Sequence, residues 1–218
     1  MVPAQPAARP STGLRIGVDF DNTIAGYDEV FLAGAKQLGL VDAGFQGRKR
    51  TLRDAVCALP DGELAWQRLQ GQVYGADMGG AVLFAGVPEF LRSCRKHGHK
   101  VFIVSHKTEY GHFDPLRINL RDAALDWMRS KGLFSDPDFA IAPENVMFAS
   151  TRAEKLATIA RLGCTHFIDD LEEVFADPDF PVGVMPILFA ERAGAPGSNV
   201  NFCTTWREIA EAVFGERG

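Results

Sequence analysis

Five short apolar runs, separated by segments with helical periodicity, constrain the fold of this chain more than any other feature. The runs lie at residues 15–18, 101–104, 146–149, 166–170 and 184–189. Runs that are apolar on both faces are typical of strands in a parallel sheet that helices cover on both sides. The alternation therefore predicts an α/β fold with a doubly wound parallel sheet, in which sites form at the carboxyl ends of the strands.

Apolar residues spaced three or four positions apart predict the helices that cover this sheet. Two long stripes run through residues 120–128 and 206–214, and shorter stripes occupy residues 87–94 and 156–160. Each stripe stands after one of the apolar runs or between two of them, as a sheet wound with helices on both faces requires.

The stretch 25–84 interrupts this alternation, because its apolar positions follow helical spacing alone. We expect it to form a small α-helical domain inserted after the first strand. Residues 14–24 and 85–218 would then form the core. Residues 1–13 are rich in Pro and Ala, and we expect them to be a disordered tail.

The composition fits a globular protein, with 46% hydrophobic residues, 23% charged residues and a net charge of −5. This charge argues against general binding to nucleic acid or to a membrane surface, since both depend on an excess of Lys and Arg. The four cysteines are spread singly, which is typical of reduced thiols. No segment is apolar enough for a membrane span or a secretory signal, so we expect a cytoplasmic location.

Two pairs of acids follow predicted strands, and both pairs should reach the same edge of the sheet. Asp19 and Asp21 come after the first run, and Asp169 and Asp170 end the fourth. Carboxylates a few ångströms apart repel each other unless a cation or a shared proton offsets the repulsion. One pair alone is compatible with a solvated turn. Two pairs without a nearby His or Cys favour a Mg²⁺ site that also accepts a substrate phosphate.

The sequence DFDNT at residues 19–23 resembles the DxDx[TV] signature of haloacid dehalogenase-like (HAD) hydrolases. Three further motifs stand in that family's order: Ser105 ends the second strand, Lys155 precedes the last acidic strand on a helix, and FIDD fills residues 167–170. The resemblance covers about residues 14–190. It implies a Rossmann-like core, with the helical insertion as a type 1 cap.

The resemblance also implies a phosphatase mechanism with Mg²⁺ as cofactor. Asp19 would be the nucleophile that forms an aspartyl-phosphate. Asp21 would be the general acid for the leaving oxygen and then the base that activates water. Ser105 and Lys155 would bind the transferring phosphoryl oxygens. The metal ligands would be Asp19, the backbone carbonyl of Asp21, and Asp169 or Asp170, of which we favour Asp169 as the direct ligand.

Four further residues are candidates for substrate binding. Thr23 ends the first motif, His106 and Lys107 begin a long polar loop after the second strand, and Arg48 belongs to a basic cluster in the insertion. A structural interpretation is open for His106, Lys107 and Arg48. A histidine can pack beneath a site, a lysine can be solvated, and a basic cluster is commonly a wet helix end.

We therefore predict a Mg²⁺-dependent phosphatase acting on a small phosphorylated metabolite, since an insertion of about sixty residues that closes on the core would exclude large substrates. Asp21 separates this class from the dehalogenases of the family, which lack an acid at that position. Two alternatives stay open: a phosphotransferase or phosphomutase, and a non-catalytic binding module. The complete acidic cluster counts against the binding module. The substrate and the oligomeric state are not predicted.

Overall fold

The structure is a computed structural model, and it describes residues 13–113, 116–139, 141–191 and 200–215. The tail expected at residues 1–13 lies outside this range except for its last residue. No helix within the described part of the chain is long and apolar enough to cross a membrane.

The strands form one large sheet and one small sheet. In chain order they are β1 (Arg15–Val18), β2 (Ala25–Gly26), β3 (Val82–Leu83), β4 (Lys100–His106), β5 (Val146–Ala149), β6 (His166–Asp169), β7 (Met185–Phe189) and β8 (Asn201–Cys203). Six of them pair in parallel in the order β5-β4-β1-β6-β7-β8, and β2 pairs antiparallel with β3. All five apolar runs are strands of the large sheet, which confirms the predicted doubly wound α/β fold.

The core α-helices match the apolar stripes of the sequence, the shorter stripes included. The helices are α1 (Asp28–Gln37), α2 (Lys49–Cys57), α3 (Gly62–Tyr74), α4 (Val87–Lys96), α5 (Leu120–Ser130), α6 (Arg152–Arg161), α7 (Glu172–Phe175) and α8 (Trp206–Phe214). The four stripes predicted for the core are α4, α5, α6 and α8.

The stretch 25–84 contains α1, α2 and α3, with β2 and β3 at its two ends. The sequence did not indicate these strands, because two residues are too few to show a strand period. The three helices pack on one another around stacked rings of Phe31 and Trp66, whose centroids lie 5.0 Å apart. Their buried residues belong to the same apolar cluster as β1 and α8. The division of the chain into a core and a separate cap stays a prediction.

The strand order sets the position of the site. β1 lies between β4 and β6, and Val18 is in register with Ile103 on one side and Ile168 on the other. The sheet continues outward from β1 in both directions, so the helical connections reverse there. In open parallel sheets, ligands bind outside the carboxyl ends of the strands at such a reversal. The residues that directly follow Val18 and Ile168 therefore meet at one point.

Trp206 connects the C-terminal helix to the loop after β1. Its indole nitrogen donates a hydrogen bond to the carbonyl oxygen of Thr23 at 3.0 Å, and its ring lies edge-on against Phe90 at 5.0 Å. Because Trp206 is fully buried, this contact fixes the backbone of the acidic loop against α4 and α8.

Candidate active site

Three acidic side chains and one lysine meet at the carboxyl edge of the sheet. Asp19 follows β1, Asp169 ends β6, and Asp170 comes next, with carboxylate oxygens that lie within 4.8 Å of one another. Lys155 reaches them from the second turn of α6. Its Nζ donates to Asp19 Oδ1 and to Asp169 Oδ2, both at 2.6 Å. The structure thus brings together four of the residues that the sequence singled out.

Burial dominates the electrostatics of this cluster. It raises the pKa of Asp19 well above the usual range, an effect that Lys155 opposes and that Asp169 and Asp170 reinforce. Burial also raises the pKa of Asp170 to about 7, and the charge of Asp169 adds to that effect. Although burial lowers the pKa of Lys155, the charges of Asp19 and Asp169 raise it above its usual value. One ammonium group therefore faces more carboxylates than it can neutralise.

The donor atoms of the cluster fit a divalent cation. Its donor atoms are carboxylate oxygens, which are the ligands that Mg²⁺ prefers. A second cation close to these oxygens would offset the repulsion that Lys155 leaves uncompensated.

Asp21, the second acid of the first motif, is held by two donors. The hydroxyl of Tyr27 donates to Asp21 Oδ1 at 2.5 Å. The ammonium of Lys107 lies 3.1 Å from Oδ1 and 2.8 Å from Oδ2. Tyr27 stands directly before α1 and Lys107 directly after β4, so the inserted helices and the core both hold this carboxylate.

A cavity of about 330 Å³ opens in front of these groups. The sheet edge and α6 contribute one wall, and α2 and α3 contribute the other. The first wall is lined by Asp19, Asp21, His106, Lys107, Lys155 and Asp170, and the second by Lys49, Gln67, Gln70 and Tyr74.

Ser105 and Thr23 place buried hydroxyl groups close to the sheet edge. Neither hydroxyl has a hydrogen-bond partner among the residues described, although both side chains are almost fully buried. An unpaired buried hydroxyl costs roughly 1–3 kcal/mol. These two oxygens are thus available to a further polar group, but neither residue lines the cavity in this structure.

Two of the other predicted substrate residues differ in their position. His106 borders the cavity, and its Nε2 lies 3.1 Å from the carbonyl oxygen of Ser150. Arg48 instead forms an exposed ion pair with Glu191 and is not part of the cavity wall. Its neighbour Lys49 occupies that wall: α2 begins at Lys49, whereas Arg48 precedes the helix with an extended backbone.

Sequence reasoning did not identify the tyrosines of the site. Tyr74 lines the cavity and is partly buried, and Tyr27 is fully buried behind it; their rings pack edge to face with centroids 5.0 Å apart. Burial raises the pKa of both phenols well above the usual range, so both stay protonated and can donate hydrogen bonds.

Neither a protein-family model nor the sequence of a curated protein matches this chain. Solved structures do match it over nearly its full length. A haloacid dehalogenase-like hydrolase from Streptococcus pneumoniae aligns with a TM-score of 0.58 at 14% identity, covering 94% of this chain and 99% of that one. A HAD family hydrolase from Deinococcus radiodurans, with bound phosphate and sodium, gives 0.55 at 14% identity, covering 93% and 96%.

An L-2-haloacid dehalogenase aligns with a TM-score of 0.54 at 16% identity, covering 93% of this chain and all of that one. At such identities the likeness shows a common fold. The chain therefore has the Rossmann-like α/β fold of HAD-superfamily hydrolases. This fold occurs in the dehalogenase as well as in the structure that contains phosphate, so the residues of the site have to separate the two chemistries.

Replacing the buried lysine should destabilise the metal-free protein. We expect Lys155→Met to lower the free energy of unfolding by about 3–5 kcal/mol, because Asp19 and Asp169 lose their cation. Adding Asp169→Asn to that variant should recover part of the loss, since one buried charge is then removed. Urea denaturation in the presence of a chelator measures both values. A loss below about 1 kcal/mol, as for an exposed ion pair, would contradict the proposed role of Lys155.

Proposed function

We propose that the protein is a Mg²⁺-dependent phosphatase that hydrolyses a small phosphorylated metabolite through an aspartyl-phosphate. The observation that carries this proposal is the convergence of Asp19, Asp169 and Asp170 on one point beside the buried Lys155. The cavity in front of that point accommodates a molecule of metabolite size. The phosphate bound in the Deinococcus radiodurans structure of the same fold supports the choice of phosphate chemistry.

Asp19, Asp169 and Asp170 would hold the metal, since they supply the cluster of carboxylate oxygens. Once bound, Mg²⁺ supplies positive charge that offsets the negative charge of the transferring phosphoryl group. Of the acids Asp169 and Asp170, Asp169 also accepts a hydrogen bond from the backbone N–H of Leu171 at 3.0 Å. This bond orients the Asp169 carboxylate toward Lys155 and Asp19.

Asp19 acts as the nucleophile. Its carboxylate oxygen forms a bond to phosphorus in line with the leaving oxygen, whose bond to phosphorus breaks. Lys155 orients the carboxylate through the 2.6 Å hydrogen bond and stays beside the new phosphoryl group as a fixed positive charge. Water then attacks the aspartyl-phosphate, which releases inorganic phosphate and restores the carboxylate.

Asp21 moves the protons of both steps. In its protonated form it donates a proton to the leaving oxygen in the first step, and the resulting carboxylate takes one from the attacking water in the second, which restores the acid. Tyr27 and Lys107 orient its carboxylate for this role. An acid at this position assists phosphoryl transfer. When the ester bond breaks, the alcohol part of the substrate leaves as an alkoxide, which needs a proton. A halide leaving group needs none, so Asp21 favours a phosphatase over a dehalogenase.

Removal of the nucleophile tests the first step. Asp19→Asn should reduce the Mg²⁺-dependent hydrolysis of p-nitrophenyl phosphate by about 10³-fold or more, because the amide cannot attack phosphorus. Circular dichroism should show an unchanged fold. Turnover equal to that of the unaltered protein would rule out Asp19 as the nucleophile.

The loss of activity caused by replacing the proton donor should depend on the leaving group. We expect Asp21→Asn to lower kcat for glycerol 3-phosphate by roughly 10²–10⁴-fold. The loss for p-nitrophenyl phosphate should be much smaller, since p-nitrophenolate leaves without a proton. Steady-state kinetics on both esters give the comparison. Equal losses would argue against proton transfer by Asp21.

A further inference from the structure

The inserted helices carry into the cavity one ammonium group that the proposed chemistry does not use. Lys49 is the first residue of α2, and its Nζ donates to the hydroxyl of Tyr74 at 2.8 Å. The same nitrogen lies 3.4 Å from Asn22 Oδ1, in the loop of the first motif. It also lies 5.0 Å from the ring centroid of Phe31. These contacts fix the ammonium group between the inserted helices and the loop after β1.

Lys49 differs from the other two lysines of the cavity in its charge partners. Lys155 pairs with Asp19, and Lys107 pairs with Asp21. In the described part of the chain, no carboxylate oxygen lies within 4.0 Å of Lys49 Nζ. Burial lowers the pKa of Lys49, although the charges of Asp21, Asp170, Asp28 and Asp19 oppose that effect. A partly desolvated cation that lacks a directly paired carboxylate is stabilised by an anionic ligand that contacts it.

Two amide side chains stand on the same wall of the cavity. Gln67 and Gln70 precede Tyr74 on α3 at spacings that place all three on one face of the helix. Neither amide makes a side-chain hydrogen bond to another described residue. Each amide can donate and accept hydrogen bonds, which suits hydroxyl groups of a ligand.

We propose that Lys49 binds a second anionic group of the substrate. The preferred substrates are then small phosphate esters that carry a carboxylate or a second phosphate together with hydroxyl groups. This inference rests on the proposed phosphatase function. A phosphoryl group at Asp19 and an anionic group at Lys49 would lie on the two walls of a cavity of about 330 Å³, which suits a small molecule.

Ligand binding to the Asp19→Asn variant, which lacks the nucleophile, tests this inference by calorimetry. One pair of probes is 3-phosphoglycerate and glycerol 3-phosphate. The first carries a carboxylate where the second carries a neutral hydroxymethyl group. A second pair, fructose 1,6-bisphosphate and fructose 6-phosphate, tests a phosphate as the second anion. In at least one pair we expect the Kd of the doubly anionic ligand to be at least tenfold lower. Equal Kd values within both pairs, or no measurable binding of any probe, would overturn the inference.

Three substitutions in the same background assign the effect to one side chain. Lys49→Gln should abolish the difference in Kd, and Lys49→Arg should retain part of it because the positive charge stays. Arg50→Gln is the matched control, since Arg50 is an exposed cation of α2 outside the cavity wall, and it should leave the difference unchanged. A difference that survives Lys49→Gln, or that Arg50→Gln abolishes equally, would contradict the proposal.

The proposed function is tested separately by p-nitrophenyl phosphate, which has no second anionic group. Hydrolysis of this ester by the unaltered protein, combined with equal Kd values in both probe pairs, would overturn the role of Lys49 alone. Absence of that hydrolysis would count against the phosphatase function itself.

Discussion

The ammonium group of Lys155 lies between the carboxylates of Asp19 and Asp169, which would otherwise repel each other in a site that water scarcely reaches. Both acids end up there because β1 and β6 are neighbours in the sheet. Lys155 is fixed from the third side by α6, whose first turn is capped by the Thr151 hydroxyl, an acceptor for the Glu154 N–H at 3.1 Å. Strand pairing and one helix cap thus determine the geometry of the whole cluster.

The same contact explains why the cluster suits a divalent cation. A single lysine balances one of the buried carboxylates. Asp170 adds a further carboxyl group, whose pKa is raised to about 7 by burial. Mg²⁺ would compensate this excess, and a phosphate ester would in turn compensate the positive charge of the metal and Lys155. Asp21 stands apart from this balance because Tyr27 and Lys107 already satisfy its carboxylate.

Local patterns in the sequence were sufficient for the elements that build the sheet edge. Apolar runs indicated the central strands, apolar stripes with helical spacing indicated the core helices, and acids placed directly after strands indicated the cluster. The two- and three-residue strands β2, β3 and β8 and the single-turn helix α7 show no period and were not predicted. The contacts of Lys49 with Tyr74 and Asn22 join segments that are 25 and 27 residues apart in the chain, so no local pattern indicates them. Tyr27 lies only six residues from Asp21, but no periodic pattern marks their contact. The choice between Arg48 and Lys49 depends on the residue at which α2 begins, which spacing alone does not fix.

The central claim is that Asp19, Asp169 and Asp170 bind a divalent cation. Titration calorimetry with Mn²⁺, a spectroscopically visible substitute for Mg²⁺, tests it without any substrate. One ion should bind per chain, and Asp169→Asn and Asp170→Asn should each weaken binding by at least about tenfold, the loss typical of altered metal surroundings. No binding to the unaltered chain, or an affinity that neither substitution changes, would contradict the claim.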